Sequence, residues 1–97
     1  MKTIKIYQLN NQQRRNFGFL DYDTGIELNG REVAPNDYDL VYTMKVSSDF
    51  ELDDIFHLFN VNRPKDFMGH SLSVSDVVEM DGSLWFCNDI GWKMLDW

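Results

Sequence analysis

The stretch Tyr38-Asp39-Leu40-Val41-Tyr42-Thr43-Met44-Lys45-Val46 decides the fold, because its large apolar residues recur at every second position. Alternating residues of a β-strand point to opposite faces of the sheet, so this spacing places them on one face. Polar residues such as Asp39, Thr43 and Lys45 fall on the other face. The stretch therefore predicts a β-strand over residues 38–46 with one buried side.

The segment that follows predicts a helix. Ser48-Asp49-Phe50-Glu51 has the form of a capping box, in which the Ser48 hydroxyl and the Glu51 carboxylate each accept a hydrogen bond from the other residue's amide. Apolar residues then recur at helical spacing, which predicts one helix from Glu51 to about Asn60. The expected buried stripe is Leu52, Ile55, Phe56 and Phe59, and the expected solvent face carries Asp53, Asp54 and His57.

Further strands are predicted on either side of this unit. Residues 3–9 alternate as a first strand, and residues 77–80, 83–88 and 92–97 form a meander in which Asp81-Gly82 favours a hairpin turn. The length of 97 residues suits one domain spanning 1–97. We therefore expect an α+β domain, with a small, mainly antiparallel sheet and one principal helix packed on it.

Residues 10–36 carry mixed signals. Residues 10–16 are polar and fit either a loop or the start of a frayed helix, while residues 17–22 leave helix and strand open. Asn29-Gly30 favours a type I′ hairpin turn between residues 25–28 and 31–33.

Charge and composition exclude several classes of function. Sixteen acidic and nine basic residues give a net charge of −7, which repels nucleic acid and attracts basic proteins. No apolar run reaches the roughly 18 residues of a membrane helix and the start lacks a signal-peptide core, so a cytoplasmic protein without membrane contact is expected. The single Cys87 and two dispersed histidines do not match a metal site, and no metal or cofactor is expected.

One short region brings His, Ser and Asp close together in sequence. His70, Ser71 and Asp76 could form the acid–base site of a small metal-independent hydrolase or nuclease, with Arg63 assisting. The other interpretation is a loop in which Gly69 permits a turn and Asp76 forms an Asx-turn before the next strand. Turn chemistry favours the loop, so we do not expect an enzyme.

Acidic residues are concentrated on predicted turns and solvent faces. Such a surface can occupy the basic nucleic-acid groove of another protein, although solubility alone also explains it. The terminal Trp97 could add an exposed aromatic anchor. The predicted partner-binding residues are Asp21, Asp23, Asp37, Asp39, Asp53, Asp54 and Trp97.

Residues 59–78, FNVNRPKDFMGHSLSVSDVV, resemble the YodL-like domain family. The family's pattern has a helix ending in F-N, then R/H-P-x-D-F-x-G-H-S-L-S-V-S-D-V-V, and later C-D-x-x-G-F/W-K. Here the later piece is Cys87-Asn88-Asp89-Ile90-Gly91-Trp92-Lys93, and the strand at 38–42 and residues 7–9 are also similar. The resemblance covers most of the chain and departs from the family in residues 10–36, where a stretch punctuated by Gly and Asn replaces a more helical segment.

The resemblance implies a domain encoded on conjugative elements, plasmids and phages, with no established catalytic activity. Small acidic proteins of such elements are often inhibitors of host defence. We therefore expect a non-enzymatic interaction protein of the anti-CRISPR or anti-restriction type, which docks on a basic groove of a nucleic-acid-targeting protein such as a Cas nuclease. The alternatives are the hydrolase or nuclease using His70 and Asp76, and a structural module of larger mobile-element proteins.

Overall fold

The computed structural model describes residues 1–97 and contains one five-stranded sheet and three α-helices. The strands are β1 (Lys2–Leu9), β2 (Tyr38–Val46), β3 (Val77–Met80), β4 (Ser83–Cys87) and β5 (Trp92–Leu95). The helices are α1 (Asn11–Phe17), α2 (Tyr22–Asn29) and α3 (Leu52–Val61), and a 3₁₀ turn spans Pro35–Asp37. All strand pairs are antiparallel in the order β2-β1-β3-β4-β5, which confirms the predicted α+β class.

The alternation of β1 supplies both sides of the core. Ile4 and Ile6 are fully buried and pack with α3, whereas Leu9 faces the other way and packs with Phe17 of α1. The α3-side cluster contains Ile4, Ile6, Val46, Ile55, Phe59, Phe67, Leu72, Val78 and Met80. The opposite cluster contains Leu9, Phe17, Val33, Tyr38, Val77, Phe86 and Leu95. Apolar clusters therefore cover both faces of the sheet.

Helix α3 confirms the predicted helix but not its cap. Residues 47–50 form a separate turn, closed by the Phe50 amide and the Ser47 carbonyl, so the proposed Ser48 capping box is wrong. Glu51 is the N-cap instead, and its amide donates to the Asp54 carboxylate at 2.8 Å. The prediction that Phe56 is buried is also wrong: Phe56 is 38% exposed, because it lies at the edge of the stripe and contacts the edge of the Trp92 ring.

Residues 10–36 are more helical than their sequence suggested. Asn10 caps α1 by accepting from the Gln13 amide at 3.0 Å, which confirms the polar helix start. The hairpin predicted at Asn29-Gly30 is wrong, because Gly30 ends α2 in the left-handed conformation with φ of 73°. The apparent departure from the family's helical segment is therefore also wrong.

The C-terminal meander is as predicted. Asp81 and Gly82 both have positive φ, 55° and 81°, and connect β3 to β4 with Met80 paired to Ser83. No helix in the structure has both the length and the apolar character needed to cross a bilayer.

Candidate functional site

A groove runs between the N-terminal end of α3 and strands β4 and β5. Its main part is a cavity of about 450 Å³, and a smaller cavity of about 160 Å³ extends it toward the β4–β5 turn. Asp53 and Trp92 line both cavities, and the Trp92 indole Nε1 donates to Asp53 Oδ1 at 3.2 Å. We call this feature the acidic–aromatic groove, defined by Phe50, Glu51, Asp53, Asp81, Trp85 and Trp92, with Phe56, Cys87 and Asp89 in the extension.

The charge of the groove is negative. Glu51, Asp53 and Asp81 line its main part and Asp89 lines the extension. Lys2 is the one basic residue of its lining, and Lys2 Nζ lies 3.6 Å from Asp81 Oδ2 while donating to the Phe50 carbonyl. The groove lining therefore contains four carboxylates, one ammonium group and two half-buried tryptophans.

The predicted partner-binding residues lie in different places. Asp53 lies in the groove, and the exposed Asp54 neighbours it on α3. Asp21 is half-buried and accepts from the Asp89 amide at 2.6 Å, which places it beside the extension. Asp23 on α2 and Asp39 on β2 are exposed and do not line the groove. The structure thus brings part of the predicted set together around α3.

Asp37 is not a surface charge, which corrects the sequence-based expectation. The residue is 4% exposed, and its carboxylate accepts two hydrogen bonds from the Arg31 guanidinium at 2.8 and 3.0 Å and one from the Ala34 amide at 2.8 Å. Burial alone would raise the pKa of Asp37, but the Arg31 and Ala34 hydrogen bonds and the Arg31 charge together lower it. Asp37 therefore stabilises the turn before β2 and is not available to a partner.

Trp97 is only partly the exposed anchor that its position suggested. The centroids of the Trp97 and Tyr38 rings lie 5.3 Å apart, and Trp97 Nε1 donates to the Val33 carbonyl at 3.4 Å. The residue remains 37% exposed.

A second candidate site lies where the end of β1 meets the loop before β3. This cavity of about 250 Å³ is lined by Leu9, Arg14, Gly18, Phe19, His70, Ser73, Ser75 and Asp76, and we call it the His70–Asp76 pocket. Asp76 is 1% exposed, and its Oδ2 accepts from the Ser73 amide at 2.9 Å and from Gln8 Nε2 at 3.2 Å. Its Oδ1 lies 3.9 Å from His70 Nε2, which is too far for a direct hydrogen bond.

Hydrogen bonding around Gln8 assigns the tautomer of His70. Gln8 Nε2 also lies 3.4 Å from His70 Nδ1, but its two hydrogens go to the His70 carbonyl at 2.9 Å and to Asp76, so neither is left for Nδ1. His70 Nδ1 lies 2.7 Å from the Ser71 carbonyl, so Nδ1 carries the proton and donates to that oxygen. In the neutral ring, Nε2 is therefore an acceptor that faces Asp76 Oδ1.

Burial raises the pKa of two groups that line these sites, Asp76 and Cys87. It raises the pKa of Asp76 to about 7, against the opposing effect of the hydrogen bonds from Ser73 and Gln8. Burial, reinforced by the charge of Asp76 and neighbouring carboxylates, raises the pKa of the Cys87 thiol to about 12. Cys87 is therefore a protonated thiol at neutral pH and a poor nucleophile.

The backbone at the mouth of the pocket is strained. Phe19 has φ of 62° and Ser75 has φ of 86°, and the Phe19 amide donates to Ser75 Oγ at 3.3 Å. Non-glycine residues in this region cost about 1–3 kcal/mol each and are concentrated at functional sites. Phe19 is also 74% exposed, which places a free aromatic ring at the pocket entrance.

The structure brings together only part of the predicted acid–base group. His70 and Asp76 share the pocket, but Ser71 and Arg63 are exposed and do not line it. The sequence argument missed Gln8, Arg14 and Phe19, because they lie more than 50 residues before Asp76. The one signal for Gln8 was its place on the apolar face of β1, where a polar side chain needs a buried partner.

These features define a small α+β domain with a negatively charged groove on the α3 side of its sheet and a polar pocket at the end of β1. The family model of the YodL-like domain matches residues 3–97, so the chain belongs to the YodL-like domain family. Neither the curated proteins nor the solved structures contain a match to this chain.

Proposed function

We propose that this protein is a non-enzymatic interaction protein that docks its acidic–aromatic groove on a basic surface of another protein. The observation that carries the proposal is the combination of four carboxylates and two half-buried tryptophans in one groove. Separate surface carboxylates would serve solubility as well, but solubility does not require aromatic rings among them.

The groove chemistry suits arginine and lysine side chains. A guanidinium can stack on an indole face while carboxylates accept its hydrogen bonds, and both interactions strengthen where water is excluded. The net charge of −7 adds a long-range field that speeds encounter with a basic partner and disfavours nucleic acid as a ligand.

The proposed partner is a bacterial nucleic-acid-targeting defence protein, of the Cas nuclease or restriction type. Such proteins present basic grooves built to hold nucleic acid, and a negatively charged protein surface can occupy them. The proposed source is a mobile genetic element, which is what the resemblance to the YodL-like domain family implies. On this proposal the protein acts in the cytoplasm as an inhibitor and needs no cofactor.

A matched pair of double variants tests the proposal. Asp53→Asn with Asp81→Asn removes two groove charges, while Asn can keep the hydrogen bond to Trp92 and tolerate the left-handed turn at position 81. Asp23→Asn with Asp39→Asn removes the same charge outside the groove. Purified Cas nucleases and restriction enzymes, screened by biolayer interferometry, supply the partner.

The groove variant should bind a captured partner about tenfold more weakly at low salt, mainly through a slower association rate, while the control variant keeps most of the affinity. Equal losses in both variants would show that only net charge matters. A partner bound without any salt dependence would contradict docking through the groove.

The second candidate function is a small metal-independent hydrolase, favoured by the shared pocket of His70 and Asp76. His70 Nε2 could take a proton from a water, but Asp76 does not hold the His70 ring, because Nδ1 donates to Ser71 instead. Assays of ester and RNA cleavage would test this candidate. Turnover that His70→Gln abolishes would replace the docking proposal, and turnover unchanged by His70→Gln would indicate a contaminant.

A further inference from the structure

Above the Asp76 pKa of about 7, where this carboxyl is ionised, the His70–Asp76 pocket contains two hydrogen-bond acceptors without a donor between them. Asp76 Oδ2 is fully used by Ser73 and Gln8, but Oδ1 has no hydrogen-bond partner within the chain. His70 Nε2, 3.9 Å away, is likewise unpartnered, because Nδ1 carries the proton. Two acceptors at this separation, one on the buried Asp76 and one on the half-buried His70, can each accept a hydrogen bond from one nitrogen placed about 2.9 Å from both.

The pocket mouth adds a positive charge and apolar surface. Arg14 lines the pocket and forms no ion pair within 4.0 Å in the chain, although its charge lowers the pKa of Asp76. Leu9 and the exposed Phe19 ring line the same cavity. A ligand that satisfies all of these groups has a donor nitrogen at its inner end, an anionic group near Arg14 and a short apolar part.

We infer that the pocket binds a free α-amino acid with an apolar side chain, whose ammonium group lies between Asp76 Oδ1 and His70 Nε2 and whose carboxylate pairs with Arg14. A planar carboxylate matches the fork of a guanidinium. A cavity of about 250 Å³ holds a molecule of this size. This site is separate from the acidic–aromatic groove, and the inference does not depend on the docking proposal.

Proton–nitrogen NMR titration with valine, leucine, isoleucine, methionine and phenylalanine tests the inference. At least one should shift the amide signals of Phe19 and of residues 73–76 saturably, with Kd of about 10 mM or tighter. Two analogues of leucine test the charged ends of the ligand. N-acetyl-leucine lacks the ammonium group and isoamylamine lacks the carboxylate, so each should bind about tenfold more weakly than leucine.

Two arginine variants provide the matched control. Arg14→Met should weaken amino-acid binding about tenfold, whereas Arg15→Met, which removes the neighbouring charge outside the pocket lining, should leave it unchanged. Both residues are exposed on α1, so both variants should fold, and the unchanged dispersion of the spectra checks this.

Three results would overturn the inference. They are no saturable shift with any of the five amino acids, equal binding of the N-acetylated or decarboxylated analogues, and equal effects of Arg14→Met and Arg15→Met. The first result would leave water as the donor between Asp76 and His70, since a water molecule can also donate to two acceptors.

Discussion

Replacing Asp76 by Asn should make the protein more stable at neutral pH. Asp76 is 1% exposed, and burial raises its pKa from the ordinary value of 3.8 to about 7. An Asn side chain has nearly the same shape and carries no charge. Its oxygen can accept from Ser73 and Gln8 as Oδ2 does, and its amide hydrogens point toward His70 Nε2.

The sign of the pH dependence follows from which state holds the proton. Between about pH 4 and pH 7 the folded protein keeps the Asp76 proton while the unfolded chain releases it, so the free energy of unfolding falls as pH rises. Each pKa unit corresponds to about 1.4 kcal/mol, which gives a total of roughly 4 kcal/mol. Position 76 of Asp76→Asn does not titrate, so the variant does not lose this stability as pH rises. We therefore expect its free energy of unfolding to exceed that of the wild type by about 2–4 kcal/mol near pH 8 and to match it near pH 4.

Urea unfolding followed by tryptophan fluorescence, at a series of pH values, measures the difference between the two proteins. Asp39→Asn is the control, because Asp39 is exposed and its removal should give a pH-independent difference close to zero. The reasoning is refuted if Asp76→Asn is less stable than the wild type near pH 8. A difference that does not change between about pH 4 and pH 8 would refute it equally.

Four further substitutions test the packing and the buried polar contacts. Phe59→Ala should lower the free energy of unfolding by about 3–5 kcal/mol because the residue is fully buried, whereas Phe56→Ala should lower it by about 1–2 kcal/mol because the residue is 38% exposed. Urea midpoints that rank the two variants in the reverse order would contradict the assignment of the core. Asp37→Ala should lower the free energy of unfolding by about 1–3 kcal/mol at neutral pH. Because the pKa of Asp37 is lowered in the folded protein, the difference in stability between variant and wild type should shrink as pH falls below about 4. Thermal melts across that pH range measure this difference, and a difference that widens in acid would contradict the prediction. Gly69→Ala should cost about 1–3 kcal/mol, because a Cβ there would lie 2.4 Å from Gln8 Oε1; an unchanged melting temperature would show that the loop does not pack on Gln8.

Much of the fold was predictable because its signals are local. The period-two pattern that predicts β2 and the helical spacing that predicts α3 each depend on a single run of residues. The single buried side predicted for β2 is wrong, because an irregularity at Val41 leaves Leu40 52% exposed and places Tyr38 in the core cluster opposite to that of Val46. The helix α2 escaped prediction because Tyr22–Asn29 has no apolar stripe, and because a left-handed Gly30 ends a helix as readily as it forms a hairpin turn.

The candidate sites were less predictable because distant segments assemble them. Asp53 could be identified on the face of a helix, but its groove neighbours Asp81 and Trp85 are placed by the register of β3 and β4. Asp37 seemed exposed because its burial depends on Arg31, which returns to it through an irregular loop. Residue type and spacing predict a charge, but tertiary contacts decide whether it is buried.

On the proposed function, binding is localised in the acidic–aromatic groove and does not follow net charge alone. The most direct measurement is proton–nitrogen NMR of the wild type titrated with an oligoarginine peptide at low and at physiological salt. The account predicts that the largest shifts fall on residues 50–53, 81–85 and 92, including the Trp92 indole signal, and that they weaken as salt rises. Shifts of equal size around Asp23 and Asp39 would contradict it, as would a Trp92 indole signal that does not respond.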